Sequence, residues 1–266
     1  MEPSIERKEA LLRAQLQGLP NALIAYSGGV DSAYLLWTAT KILGSKCLGV
    51  LADSPSLKRS ELEHALHFAQ TWSLPVRVIK TEELANPDYT ANPLNRCYHC
   101  KYELFEQIKS IAEKEEYSTI CYGENLDDAS EFRPGQEAAK TFQVLAPLRD
   151  AGLTKQDIRS LALQAGLSVA DKVAQPCLSS RIPHGAEVTV EKLRQIEQAE
   201  AFLEKEGFNI YRVRHHGKVA RVQVSPQETL RLLDPLMREK IRTALNLYGF
   251  SIVEFDQEGY SGASLR

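Results

Sequence analysis

The stretch Ala22–Leu36, ALIAYSGGVDSAYLL, decides the fold. Ala22 to Tyr26 form a short apolar run that stops at Ser27-Gly28-Gly29, and from Val30 onward the apolar residues recur at helical spacing. A strand that turns through two glycines into a helix gathers backbone N–H groups and the positive end of a helix dipole at one point. The glycines let a ligand come close to the main chain, and Ser27 and Ser32 add hydroxyl donors. The ligand that fits is a phosphate or pyrophosphate. An ordinary Gly-rich strand-to-helix turn would account for the glycines alone, whereas the full Ser27–Ser32 string is far more specific. It has no Lys at the Walker position and lacks the third glycine of a dinucleotide fingerprint.

Outward from this turn the pattern alternates. A helix runs to about Leu43, CLGVLAD (Cys47–Asp53) reads as a strand, KRSELEHALHFAQTWS (Lys58–Ser73) as a helix and PVRVIKT (Pro75–Thr81) as a strand. A Pro- and Asn-rich loop, Glu82 to Cys100, is long enough to be suspected of function. Helix KYELFEQIKSIAEKE (Lys101–Glu115), strand STICYGE (Ser118–Glu124), the segment NLDDASEFRPGQEAAK and a helix over Lys155–Ala165 follow. The alternation predicts an α/β fold, a parallel sheet with helices on both faces. Near PCLSSRIPHGAEVT the pattern changes, which places a domain boundary at about Ile182–Glu187 and divides the chain into 1–184 and 185–266. The second part reads as a small α+β module: a helix over Val190–Glu206, paired strands NIYRVRH and KVARVQVS, a helix from about Pro226 to Tyr248, and a last strand SIVEFD.

The chain has 266 residues and a formal net charge of −3, which argues against a wide nucleic-acid footprint and leaves a small anionic substrate open. The first residues alternate charged with apolar side chains and read as a surface helix rather than a signal peptide. No apolar run approaches the roughly 18 residues of a membrane span, so the expected compartment is the cytoplasm. Five cysteines make a disulfide framework a poor explanation. Cys47 and Cys121 lie in apolar strand-like runs and read as small core residues, whereas Cys97, Cys100 and Cys177 sit in polar, Pro-flanked segments.

Ser27-Gly28-Gly29-Val30-Asp31-Ser32 resembles the signature of the PP-loop ATP pyrophosphatase superfamily, whose members cleave ATP between its α- and β-phosphates and adenylate a carbonyl or carboxylate oxygen. By that resemblance Ser27, Gly28, Gly29, Asp31 and Ser32 form the pyrophosphate cradle. Asp31 helps to hold Mg²⁺, an oxygen-preferring ion that bridges phosphates. Asp53 and Ser54 fall where the superfamily contacts the nucleoside, although a polar strand exit into a Ser-Pro turn explains them equally well.

Four further stretches, NRCYHCK, GENLDDASEFRPG, PCLSSRIPHG and YRVRHHGKVARV, together resemble the LarE family, the sulfur insertases that build the nickel-pincer nucleotide cofactor. They span most of the chain in the family's order. The resemblance implies that ATP adenylates the carboxylates of a pyridinium biscarboxylate mononucleotide and that sulfur displaces AMP to leave thiocarboxylates. It implies ATP contact for Asp127, with Asp128 beside it, and substrate contact for Arg133, Ser180 and Arg181; Arg212 and Arg214, alternating on one strand, would hold the substrate phosphate. The plainer readings are a helix cap or turn for the aspartates and a solvated strand face for the arginines. Glu200 is a metal or substrate candidate by family position only; by sequence an exposed helical Glu is the simpler reading. Family members form homo-oligomers, a hexamer by resemblance, and act on small molecules rather than nucleic acid or membranes.

Two sulfur chemistries occur in the LarE family. In one, a lone cysteine at the Cys177 position gives up its own sulfur and becomes dehydroalanine; in the other, three cysteines hold a 4Fe-4S cluster whose fourth iron stays open to sulfide. The presence of Cys97 and Cys100 beside Cys177 favours the cluster. Structural zinc with His99 or His184 as fourth ligand, a redox CxxC pair, a cluster-dependent tRNA thiolase and a non-enzymatic nucleotide sensor are the rival readings.

Overall fold

Strand β1 (Ala22–Tyr26) is buried at every position, as a central strand of a sheet covered on both faces must be. Its side chains alternate between two cores: Ala22, Ile24 and Tyr26 face one, Leu23 and Ala25 the other. The computed structural model describes residues 3–130, 134–173 and 175–260. β1 pairs in parallel with β2 (Cys47–Asp53) on one side and β4 (Ile120–Tyr122) on the other; β3 (Val76–Lys80) pairs with β2 at the edge. The order β3-β2-β1-β4 reverses direction at β1, which creates a crevice beyond its carboxyl end. Helices α1 (Ile5–Gln17), α2 (Val30–Leu43), α3 (Arg59–Thr71) and α8 (Lys155–Gln164) contribute to the first core. α5 (Arg96–Lys114) and α6 (Pro134–Thr141) contribute to the second, and α7 (Pro147–Asp150) adds Leu148 to the first. The expected parallel α/β sheet with helices on both faces is therefore present.

By contacts the chain divides into two units: residues 1–54, 59–83 and 95–175 form one, residues 55–58, 84–94 and 176–266 the other. The second unit holds α4 (Pro87–Thr90), α9 (Val190–Lys205), the hairpin β5 (Tyr211–His216) and β6 (Val219–Val224), α10 (Thr229–Leu232), α11 (Pro235–Leu247) and β7 (Ile252–Phe255). β5 and β6 are antiparallel and β7 joins β6 in parallel, so the small sheet is mixed. Its core packs Val213, Ala220, Val222 and Val253 against Leu203 of α9 and Ile241 and Leu245 of α11.

Two elements differ from the sequence reading. The helix expected over Pro226–Tyr248 is broken, because Pro235 cannot donate a backbone hydrogen bond and forces Asp234 into an extended conformation. Asp234 then caps a fresh helix by accepting from the Met237 N–H at 3.0 Å. Helix α5 begins at Arg96, five residues before the expected Lys101, so Cys97 and Cys100 are helical rather than in a loop. Tyr98 in this added turn packs against Tyr102, which meets Phe142 edge-on at 4.9 Å, so aromatic contacts extend the helix towards its N-terminus. Among the described residues no helix is long and apolar enough to cross a membrane.

Candidate active site

The turn after β1 is shaped from inside by one hydroxyl. Ser32 Oγ accepts from the Ser27 N–H at 3.1 Å, donates to the Gly29 carbonyl at 3.1 Å and lies 3.0 Å from Ser27 Oγ. Gly28 has φ +75°, and a Cβ there would lie 2.6 Å from the Ala65 Cβ on α3, so no other residue fits the turn. At the end of β4, a Cβ on Gly123 would lie 2.7 Å from the backbone nitrogen of Ser32. Glycine there lets the β4 exit lie against the first turn of α2, which brings Asn125 and Asp128 to the mouth of the loop.

Asp31, in that first turn, is the electrostatic centre. Its Oδ2 accepts from Lys155 Nζ at 2.5 Å and, at a long 3.5 Å, from Asn125 Nδ2. Its Oδ1 is buried and has no hydrogen-bond partner among the described residues. A buried carboxylate oxygen without a donor carries a desolvation cost that a hard cation would remove, so this atom fits a Mg²⁺ ligand. Asp127 Oδ2 accepts from the Lys155 N–H at 2.8 Å, and Asp128 Oδ2 from Asn125 Nδ2 at 3.0 Å. Lys172 Nζ donates to the Gly28 carbonyl at 3.1 Å and pairs with Glu61 at 2.8 Å, tying the loop to α3. At the end of β2, Arg59 pairs with Asp53 at 2.5 Å and donates to the Ser54 carbonyl at 2.6 Å. Ser54 also bonds Glu83. The first unit thus gathers Ser27, Gly28, Gly29, Asp31, Ser32 and Asp127 around the carboxyl ends of β1 and β4, and sets Asp53 and Ser54 at the end of β2.

Lys155, Lys172 and Asn125 were not singled out from sequence. Lys155 carried a signal, since a cation at the first position of a helix opposes the dipole and points to an anionic partner. Lys172 lies outside any periodic element and carried none.

Of the other candidates, Cys177, Ser180, Arg181, Glu200, Arg212 and Arg214 lie in the second unit and Cys97 and Cys100 in the first, while Arg133 lies outside the described residues. Cys177 is exposed and caps the 3₁₀ turn Leu178–Arg181. Arg181 is 1% exposed; its Nε and Nη2 donate to the two oxygens of Glu200 at 2.9 and 3.0 Å, and its Nη1 to the Cys177 carbonyl at 3.0 Å and Ser180 Oγ at 3.1 Å. Glu200 is wholly buried, contrary to the exposed helical Glu that sequence favoured, and also accepts from the Val213 N–H at 3.2 Å. Leu193, Ile196 and Leu203 share its stripe on α9, so a helical face read at i, i+3 and i+7 would have found it. With both oxygens engaged by Arg181, Glu200 acts as the counter-ion of a buried guanidinium.

Arg212 is buried beneath Tyr260, 4.8 Å from the ring centroid, and its Nε has no partner among the described residues. Burial, with the neighbouring Arg181 cation, pushes its pKa down to about 10. A buried guanidinium short of acceptors fits an anion. Arg214 shares its face of β5, is half-buried, and donates from Nε to Gln223 at 2.8 Å. Changing Arg212 to Ala should weaken binding of a phosphate-bearing mononucleotide by about 1.5–3 kcal/mol, the scale of a charged hydrogen bond, with ATP affinity unchanged, as read by calorimetric titration of each ligand.

The thiols fall into two classes. Cys47 and Cys121 are core residues as expected, and burial raises them to about 11 and about 12. Cys97 is exposed and Cys100 half-buried, one turn apart at the start of α5. Iodoacetamide at pH 8 should therefore modify Cys97 and Cys177 in the native, iron-free chain and spare Cys47 and Cys121 until it unfolds, as peptide mass mapping would record. Within neither unit do three His, Cys, Asp or Glu side chains converge as a metal site among the described residues. Cys97 and Cys100 are the soft thiol donors of the first unit and Cys177 that of the second.

No family model matches the chain. The uncharacterized protein slr1717 of Synechocystis is 41% identical over 98% of this chain and 97% of its own. The pyridinium-3,5-bisthiocarboxylic acid mononucleotide synthase of Lactiplantibacillus plantarum is 28% identical over 97% of this chain and 93% of its own. A subunit of the glutamine-hydrolyzing GMP synthase of Methanococcus maripaludis is 26% identical over 77% of this chain and 69% of its own. With a Ser-Gly-Gly turn at the switch point of a parallel sheet, and relatives aligned over 77% to 98% of its length, the chain belongs to the slr1717 family within the PP-loop ATP pyrophosphatase superfamily.

Proposed function

We propose that this protein is an ATP-dependent sulfur transferase that converts the carboxylates of pyridinium-3,5-biscarboxylic acid mononucleotide into thiocarboxylates. The observation that carries the ATP half is Asp31 Oδ1, buried without a donor at the mouth of a pyrophosphate-shaped turn. The substrate half rests on likeness to the Lactiplantibacillus synthase, supported by the unpaired guanidinium nitrogen of Arg212.

In this reading the backbone of Ser27–Gly29 and the first turn of α2 hold the β- and γ-phosphates. Asp31 holds Mg²⁺, which when bound neutralises charge on the departing pyrophosphate. Lys155 and Lys172 supply further positive charge there. A carboxylate oxygen of the substrate attacks the α-phosphorus and pyrophosphate leaves, giving an acyl adenylate. Hydrosulfide then adds to the acyl carbon and AMP leaves with the bonding pair, so one thiocarboxylate, one AMP and one proton result. The mixed anhydride makes AMP a good leaving group, which a free carboxylate does not offer. Arg212, with Ser180 and Arg214, binds the mononucleotide phosphate. Cys97, Cys100 and Cys177 would hold a 4Fe-4S cluster that supplies the sulfur. The partners are small molecules, and the working form is a homo-oligomer.

The test is the site of ATP cleavage. With Mg²⁺, the mononucleotide and sulfide, AMP and pyrophosphate should form in equal amounts. Stoichiometric ADP would overturn the assignment.

A further inference from the structure

The Pro- and Asn-rich segment before α5 is unused by the mechanism above, yet part of it is built against the turn that carries Cys177. The Ser56, Tyr89 and Ser179 hydroxyls form a closed ring: Ser56–Tyr89 at 2.6 Å, Tyr89–Ser179 at 2.7 Å and Ser56–Ser179 at 2.9 Å. All three side chains are buried, none more than 4% exposed. Each hydroxyl has one proton to give and can accept another, so the ring can close with every hydrogen placed. The backbone pairs alongside, the Leu178 N–H donating to the Ser56 carbonyl at 2.8 Å.

The far side of the turn is gripped by Asn92. This residue is fully buried, has φ +55°, and directs its amide nitrogen at the carbonyls of Pro183 (2.7 Å), Ala186 (3.0 Å) and Ile182 (3.3 Å). Its own carbonyl accepts from the Gly185 N–H at 2.9 Å, and the Thr90 carbonyl from the Val188 N–H at 2.8 Å. Between these anchors lie Cys177, Ser180 and Arg181. Cys177 itself is exposed and cannot be held by packing.

We propose that Tyr89 and Asn92, with Ser56, are positioning residues that template the Cys177–Arg181 turn and so fix the direction in which the Cys177 sulfur is presented. The proposal rests on the sulfur-transfer reading for its kinetic consequence but not for its structural one. A thiol that must be exposed to react or to bind iron needs a rigid backbone beneath it, because misplacement by about 1 Å can cost two orders of magnitude in rate.

Tyr89→Phe keeps the ring's volume and deletes one hydroxyl. Hydrogen exchange on the full-length protein should show the Leu178, Ser180 and Ile182 amides exchanging at least about tenfold faster, with β5 and β6 unchanged. The kcat for thiocarboxylate formation should fall by about tenfold or more while the KM for ATP stays within about twofold. Ser56→Ala should behave alike. Tyr211→Phe is the control: it deletes a buried hydroxyl that contacts Lys58 and Glu204 rather than the turn, and should lower the melting temperature without moving kcat. Wild-type exchange at the three amides in Tyr89→Phe, or a kcat loss no larger than that of Tyr211→Phe, would overturn the proposal. A wild-type protein that forms no thiocarboxylate would instead overturn the sulfur-transfer reading, and the exchange measurement would still decide the positioning claim.

Discussion

Asp31→Asn should lower kcat/KM for Mg²⁺-dependent pyrophosphate release by roughly 100-fold or more, the scale of one lost contact to charge developing in a transition state. The amide keeps the shape of the carboxylate but removes the charge that Oδ1 offers a cation and that Lys155 Nζ meets at 2.5 Å. The loss should appear as a higher Mg²⁺ requirement as well as a lower rate, because the variant binds the ion less well. Secondary structure and the thermal transition should change little, since Asp31 opens a helix and contributes nothing to the apolar core. Kinetics within about threefold of wild type would show that the metal is held elsewhere and would move the site off the Ser27–Ser32 turn.

The second large effect concerns the three polar cysteines. If they hold one cluster, changing Cys97, Cys100 or Cys177 singly to Ser should strip iron and acid-labile sulfide and end repeated turnover, because two thiolates and a hard hydroxyl hold iron–sulfur clusters poorly. Adenylation should survive in all three variants, since the Ser27–Ser32 turn proposed to hold ATP contains no cysteine. If Cys177 is instead consumed as the sulfur source, Cys97→Ser and Cys100→Ser should each keep a single turnover, and Cys177 should be lighter by one hydrogen sulfide afterwards. Metal analysis after anaerobic purification, with intact-protein mass before and after reaction, separates the two.

Local pattern carried the sheet. The unbroken apolar run of Ala22–Tyr26 and the two glycines after it lie within a few residues of each other, and the alternation of strands with helices needs no knowledge of distant contacts. The surroundings of the Ser27–Ser32 turn were not legible in the same way. Asn125, Lys155 and Lys172 reach the loop from 94 to 144 residues away, and only tertiary folding makes them neighbours. Glu200 marks a different failure. The apolar stripe of α9 runs through it, but a charged residue was read by its type rather than by its phase, and its buried partner Arg181 was invisible as such. The start of α5 was missed because Tyr98 is held by aromatic rings at Tyr102 and beyond, a stabilisation that helix propensity does not contain.

The central claim, that this chain adds sulfur to an ATP-activated carboxylate, is tested most directly by the mass of the mononucleotide. The full-length protein, purified and incubated anaerobically with Mg²⁺, ATP, sulfide and pyridinium-3,5-biscarboxylic acid mononucleotide, should yield product in which sulfur replaces one and then a second carboxylate oxygen, with one AMP released for each exchange. Substrate recovered with both carboxylates unchanged, from an iron-loaded preparation that releases pyrophosphate, would contradict it.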